Sequence, residues 1–244
     1  RWKRIIPDIS KKDLILTSLN SLKKSVLKFL SNNQVTISIN LISDSSGKNF
    51  DDEIIKLLYN DSIKINLVKS KISGNRGSYL ECCDQAEKAD DLIFFIEDDY
   101  LFEPLCLEEM IISYSRISTL LETDIVLCPS DYPFYYDSSY NTSIYLGMNY
   151  KWRVVKETLL TFMFSKNVLN DFRKNIRMVG ERVNDPFEKP LHDIYNNVNC
   201  IAPIGSLSHH ISRHVPVVNN EDWLTTWNNA LKKYESLNLS SDYS

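Results

Sequence analysis

The sequence predicts an α/β protein with a mostly parallel sheet flanked by helices, folded as a single domain over residues 1–244. Three observations predict it. Apolar residues recur alternately at three- to four-residue and at two-residue steps from about residue 12 to residue 130. The two-residue stretches are separated by helix-length segments, as parallel neighbours require. No internal repeat and no linker-like tract interrupts a chain long enough for one large core.

Taken in order, the elements are these. After Ser10-Lys11-Lys12-Asp13, residues Leu16, Leu19, Leu22, Val26, Phe29 and Leu30 mark a helix, with Lys23, Lys24 and Lys28 off the apolar stripe. QVTISINLIS (34–43) alternates and is β-branched, so a strand is expected to end at Asp44. DDEIIKLLYN (51–60) predicts a short helix with acids in its first turn, where the helix dipole favours them. IKINLVK (63–69) alternates again, SGNRGS (73–78) reads as a turn and YLECCDQAEKA (79–89) as a helix. LIFFI (92–96) is a short buried strand, closed by Glu97-Asp98-Asp99. A helix from about Pro104 to Leu121 and a strand DIVLCP (124–129) follow. The second half is less regular. Residues 151–176 predict a strand or loop running into a helix from about Ser165, KPLHDIYNNV (189–198) a helix, CIAPIGSLSHHI (200–211) a strand with a polar tip, and 224–244 a helix or tail.

Composition excludes several classes. With 43% apolar and 25% charged residues the chain is an ordinary globular one. A net charge of −4, with no dense basic stripe beyond RWKR at the start, argues against a nucleic-acid partner. No apolar run approaches the ~20 residues of a membrane span, so no transmembrane segment is expected. Five cysteines (82, 83, 106, 128 and 200) form no C-x-x-C pair, which argues for reduced thiols and a cytoplasmic location rather than a zinc site or disulfide framework. Arg1 in place of an initiator Met predicts further residues upstream.

The acid triplet carries the chemistry. Three adjacent carboxylates repel one another, and a divalent cation with hard oxygen ligands turns that repulsion into binding. Ligands of open α/β sheets sit beyond the carboxyl ends of strands, so Asp44, Glu97 to Asp99 and Asp131 are expected to converge on one rim. His209 and His210 lie at a later strand end. Strand neighbours face opposite sides, so no more than one of them could supply a further ligand. Mn²⁺ accepts mixed carboxylate and imidazole ligands, whereas Mg²⁺ prefers oxygen. The aromatic stretch YPFYYDSSY (132–140), with Trp152, suits stacking on the apolar C–H face of a sugar.

On these residues the chain resembles the nucleotide-sugar glycosyltransferases of the GT-A (Rossmann-like) fold, closest to the large inverting family 2 group, over roughly residues 12–223. Asp44 in LISDSSG looks like the acid that holds the nucleotide base. GNRGSYLECCDQA, with Asn75, Gly77 and Ser78, looks like the turn and helix beneath the donor. FFIEDDY looks like the D-x-D element, with Asp99 as metal ligand, Glu97 facing the ribose and Asp98 beside the donor; Asp131 in PSDYP falls on the donor or acceptor rim. LHD (191–193) resembles the acidic pair whose Asp, here Asp193, is the general base, and SLSHHI the late metal-binding His; on the spacing of SLSHH, His210 is preferred, with His209 the alternate. Two positions depart from the pattern: Glu opens the D-x-D, and the base pair reads His-Asp. The resemblance also places a first strand ahead of Arg1. It implies transfer of a sugar, with inversion, from a nucleoside-diphosphate donor (UDP-sugar favoured) to a hydroxyl of a glycan, lipid-linked or protein acceptor, with Mn²⁺ or Mg²⁺. Residues 12–130 would form the nucleotide-sugar half and 131–223 the acceptor half. A sugar nucleotidyltransferase, or a non-catalytic carbohydrate- or partner-binding domain, are the other readings.

Overall fold

The structure, a computed structural model, describes residues 10–44, 46–137, 141–211, 225 and 227–231. The expected C-terminal helix or tail lies largely outside them, as does any strand before Ser10. In chain order the elements are α1 (Lys11–Leu30), β1 (Ile37–Ser43), α2 (Lys48–Leu58), β2 (Ile63–Lys69), α3 (Asn75–Ala86), β3 (Leu92–Phe95), β4 (Tyr100–Phe102), α4 (Cys106–Leu121), β5 (Ile125–Leu127), a 3₁₀ turn (Pro133–Tyr136), β6 (Ile144–Leu146), β7 (Lys151–Val155), β8 (Phe162–Ser165), α5 (Lys166–Glu181), α6 (Lys189–Ile194), β9 (Asn199–Pro203) and β10 (Ser208–His210).

The class is α/β, but the sheet is mixed rather than mostly parallel. A six-stranded sheet has the order β3-β8-β5-β9-β7-β6, beside the two-stranded pairs β1-β2 and β10-β4. Only β1-β2 and β5-β9 pair in parallel among the described residues. The expectation failed in the second half, where β6 and β7 form a short-looped hairpin, which returns its strand antiparallel. β7 also runs opposite to its other neighbour, β9. β8 enters between β3 and β5 and runs opposite to both. β3, β5 and β9 therefore point the same way, and their carboxyl ends share one rim.

Alternation along each strand sorts side chains to two cores. Val126, Phe162, Phe164, Cys200 and Ala202 pack against α3, α5 and α6 on one face. Ile125, Leu127, Met163 and Ile201 pack against α1 and α4 on the other. Both faces are covered, so the central strands are buried throughout, and each buried Leu, Ile or Phe contributes about 1.5–3 kcal/mol. Helix α1 adds a polar device to its apolar stripe. Its Ser21 Oγ accepts the Phe102 N–H at 2.9 Å, and its Ser25 Oγ accepts the Leu107 N–H at 2.9 Å. The second bond satisfies an otherwise orphan donor in the first turn of α4.

Helix α3 starts four residues before the expected Tyr79. Gly74, at φ +90°, makes the turn alone, and Gly77 is already helical. A Cβ on Gly77 would lie 1.9 Å from the Ile72 carbonyl oxygen, so close backbone approach fixes this glycine.

Candidate functional site

Strand β3 ends at Phe95, and the chain turns at Asp98-Asp99 into β4, which pairs antiparallel with β10. In that register Tyr100 faces His210, and their rings stack with centroids 4.7 Å apart and planes 9° off parallel. His210 Nε2 stands 3.2 Å from Asp99 Oδ2, and the Ile211 N–H donates to the Asp99 carbonyl at 2.8 Å. Two residues 111 positions apart are thus fixed together by one short ladder. The adjacent His209 goes to the other side, where its Nε2 is 2.9 Å from Glu103 Oε1 and its side chain is 1% exposed. Of the two candidate histidines, the fold brings only His210 to the acids.

Glu97 completes the cluster. Its N–H donates to Thr161 Oγ1 at 3.1 Å. Burial, with Asp99, Glu188 and Asp98 nearby and His210 opposing, pushes its carboxyl up to about 7 from 4.5. Glu97 Oε2, Asp99 Oδ1 and His210 Nδ1 are buried with no hydrogen-bond partner among the described residues. Asp98 is exposed, on the turn.

Adjacent ligands of an octahedral ion with bonds of about 2.1 Å lie about 3 Å apart. The 3.2 Å between Asp99 Oδ2 and His210 Nε2 fits that spacing, and the unpartnered Asp99 Oδ1 adds capacity. Among the described residues, no group of three or more His, Cys, Asp or Glu side chains is arranged to hold a metal. Asp99 Oδ2 and His210 Nε2 are the two side-chain atoms of this cluster that could hold such an ion.

Asp44 and the α3 turn come together as a second unit. Asp44 Oδ2 accepts the Gly74 N–H at 2.7 Å, and Ser73 Oγ lies 3.5 Å away. Asn75 is exposed, while Ser78 is half-buried and donates its N–H to the Gly74 carbonyl. Nearby, Asp51 is 3% exposed and binds Lys69, Ser43 and Ser46 at the carboxyl ends of β1 and β2. Burial raises its carboxyl, and those three hydrogen bonds outweigh that and hold it below the usual value.

Two expected site residues are placed differently. Asp131 lies on the shared rim, but its carboxylate is consumed internally. Its Oδ1 pairs with Arg153, and its Oδ2 accepts Tyr136 Oη–H at 2.8 Å and the Gly205 N–H at 2.9 Å. At 1% exposure with both oxygens bonded, Asp131 ties the segments after β5 and β9 together. Asp193 is exposed on α6, and among the described residues its side chain has no hydrogen bond or ion pair. The acid of that segment within electrostatic reach of Glu97, His210 and Tyr79 is Glu188, which sequence reading missed. Its place is set by contacts on either side. His192, one turn on, is 3.1 Å from the Thr158 carbonyl, while Thr161 of the same loop holds the Glu97 N–H. The available signal was an acid two residues before Pro190, at the start of a helix.

Of the aromatic stretch, Tyr132, Tyr135 and Trp152 are core residues. All five cysteines are free, and burial pushes Cys82 and Cys83 up to about 12, so core packing accounts for them. Among the described residues, no helix is long and apolar enough to cross a membrane. No protein-family model matches the chain, and no curated protein matches it in sequence.

Proposed function

We propose that the chain is a metal-dependent glycosyltransferase, moving a sugar from a nucleoside-diphosphate donor, UDP-sugar favoured, to a hydroxyl acceptor with inversion. The observation that carries this reading is the pairing of Asp99 with His210 at 3.2 Å on the sheet rim, with Asp99 Oδ1 and Glu97 Oε2 buried and unpartnered beside it. A buried carboxylate oxygen without a donor costs about 1–3 kcal/mol or more, and a bound cation and its phosphates offset that cost.

In this reading Asp99 and His210 hold Mn²⁺ or Mg²⁺, whose chemistry is to stabilise negative charge on the leaving diphosphate. Thr161 fixes Glu97 beside them. Asp44 shapes the Gly74 turn and the start of α3, the unit assigned to the nucleoside. The proton of the acceptor hydroxyl passes to Glu188 rather than to exposed Asp193. Burial raises the Glu188 carboxyl, against a backbone hydrogen bond and the pull of His192 and His210. A raised carboxylate is a better base near neutral pH.

The test is release of nucleoside diphosphate from a panel of UDP-, GDP- and CDP-sugars with Mn²⁺. Turnover of one donor class that chelation removes supports the reading. Absence of turnover with every donor, with and without acceptor sugars, would leave a binding domain in its place.

A further inference from the structure

One aromatic ring of the 132–136 segment is not spent on the core. Tyr132 is 0% and Tyr135 5% exposed, but Tyr136 is 52% exposed. Its pose is fixed twice. The phenol donates to Asp131 Oδ2 at 2.8 Å, and the Arg153 guanidinium carbon lies 3.8 Å from the ring centroid, covering one face. Arg153 is itself buried and paired with Asp131. With one face covered, the exposure belongs to the other.

The ring also lies in the right place. Asp131 follows β5 and Gly205 follows β9, parallel strands that run with β3 toward Glu97. The segment that carries Tyr136 also reaches the acids: the Tyr132 hydroxyl meets that of Tyr100 at 2.5 Å, and Tyr100 stacks on His210. A ring immobilised beforehand loses little entropy on binding, and its apolar face suits the C–H face of a pyranose.

We infer that Tyr136 is the stacking platform of an acceptor subsite that takes a pyranose ring, so the acceptor is a glycan. This rests on the glycosyltransferase reading, since it makes the bound sugar the acceptor. The test is saturation-transfer NMR with methyl β-glucopyranoside, methyl β-galactopyranoside and methyl N-acetyl-β-glucosaminide as probes, with Mg²⁺ and UDP present. At least one glycoside is expected to receive saturation on its ring C–H protons. Tyr136→Ala should weaken its binding about three- to tenfold, whereas Tyr136→Phe and Tyr136→Trp retain it. Unchanged binding in Tyr136→Ala, or no binding of any probe to the wild-type chain, overturns the platform. Calorimetry of UDP on the same samples separates the two claims. Metal-dependent UDP binding that survives Tyr136→Ala leaves the donor site standing whatever the glycosides do, and its absence from the wild-type chain counts against the enzyme reading alone.

Discussion

Two sets of carboxylates in this molecule are treated in opposite ways. Glu109, 0% exposed, accepts from Ser113 Oγ, Trp152 Nε1 and the backbone N–H groups of Met148, Asn149 and Tyr150. Asp131 is likewise saturated by Arg153, Tyr136 and Gly205. At the end of β3, by contrast, Glu97 and Asp99 each keep a buried oxygen with no partner, and the acids stand close enough to repel one another. A saturated acid fastens loops together. An unsaturated pair is unfavourable without a ligand, and that cost is what a cation would relieve.

Asp99→Ala should have the largest effect, lowering sugar transfer by at least about a hundredfold, measured as nucleotide release, while leaving the melting temperature unchanged or raised. A matching loss of stability would place Asp99 with the structural acids. Next in size, Glu188→Gln should reduce turnover by about 10²-fold with nucleotide binding retained, and Asp193→Asn should reduce it far less. The reverse order would return the base role to Asp193. Glu109→Ala should do the opposite of Asp99→Ala, destabilising the fold by about 2–4 kcal/mol because five donors lose their acceptor; urea unfolding measures it. The smallest effect is in pH. Glu97 is raised from 4.5 to about 7, so the folded chain holds that proton more tightly than the unfolded one. The stability it contributes is present in full below pH 4.5 and declines as pH rises through about 7, by roughly 1–3 kcal/mol given partial exposure. Metal-free Glu97→Gln should therefore melt higher than wild type at pH 8 and nearly equal to it at pH 4.5.

The first half of the fold was legible because its information is local. The periodicities of α1, β1, β2 and β3 sit in the sequence, and the structure bounds them within a few residues. The meeting of Asp99 with one histidine was legible for the same reason, since an acid-x-acid unit and a His at a strand end are short patterns and alternation allows only one of the two histidines. What was not legible depends on distant partners. β4 and β6 have three residues each, too few for a period, and exist through pairing with β10 and β7. Asp131 looked like a rim acid because Arg153 and Gly205, which consume it, lie 22 and 74 positions away. Helix α3 was shortened because Gly74 and Gly77 both read as turn formers, and only the packing of Ile72 shows why the second is helical.

In the proposed function, the acid-tipped strand and His210 bind a cation together with a diphosphate. Calorimetric titration of UDP, GDP and CDP into the wild-type, Asp99→Ala and His210→Ala chains, each with and without Mn²⁺, tests it most directly. One nucleotide should bind the wild-type chain only with Mn²⁺, and both substitutions should abolish that dependence. Binding that ignores the metal, or that persists in both variants, would contradict the account.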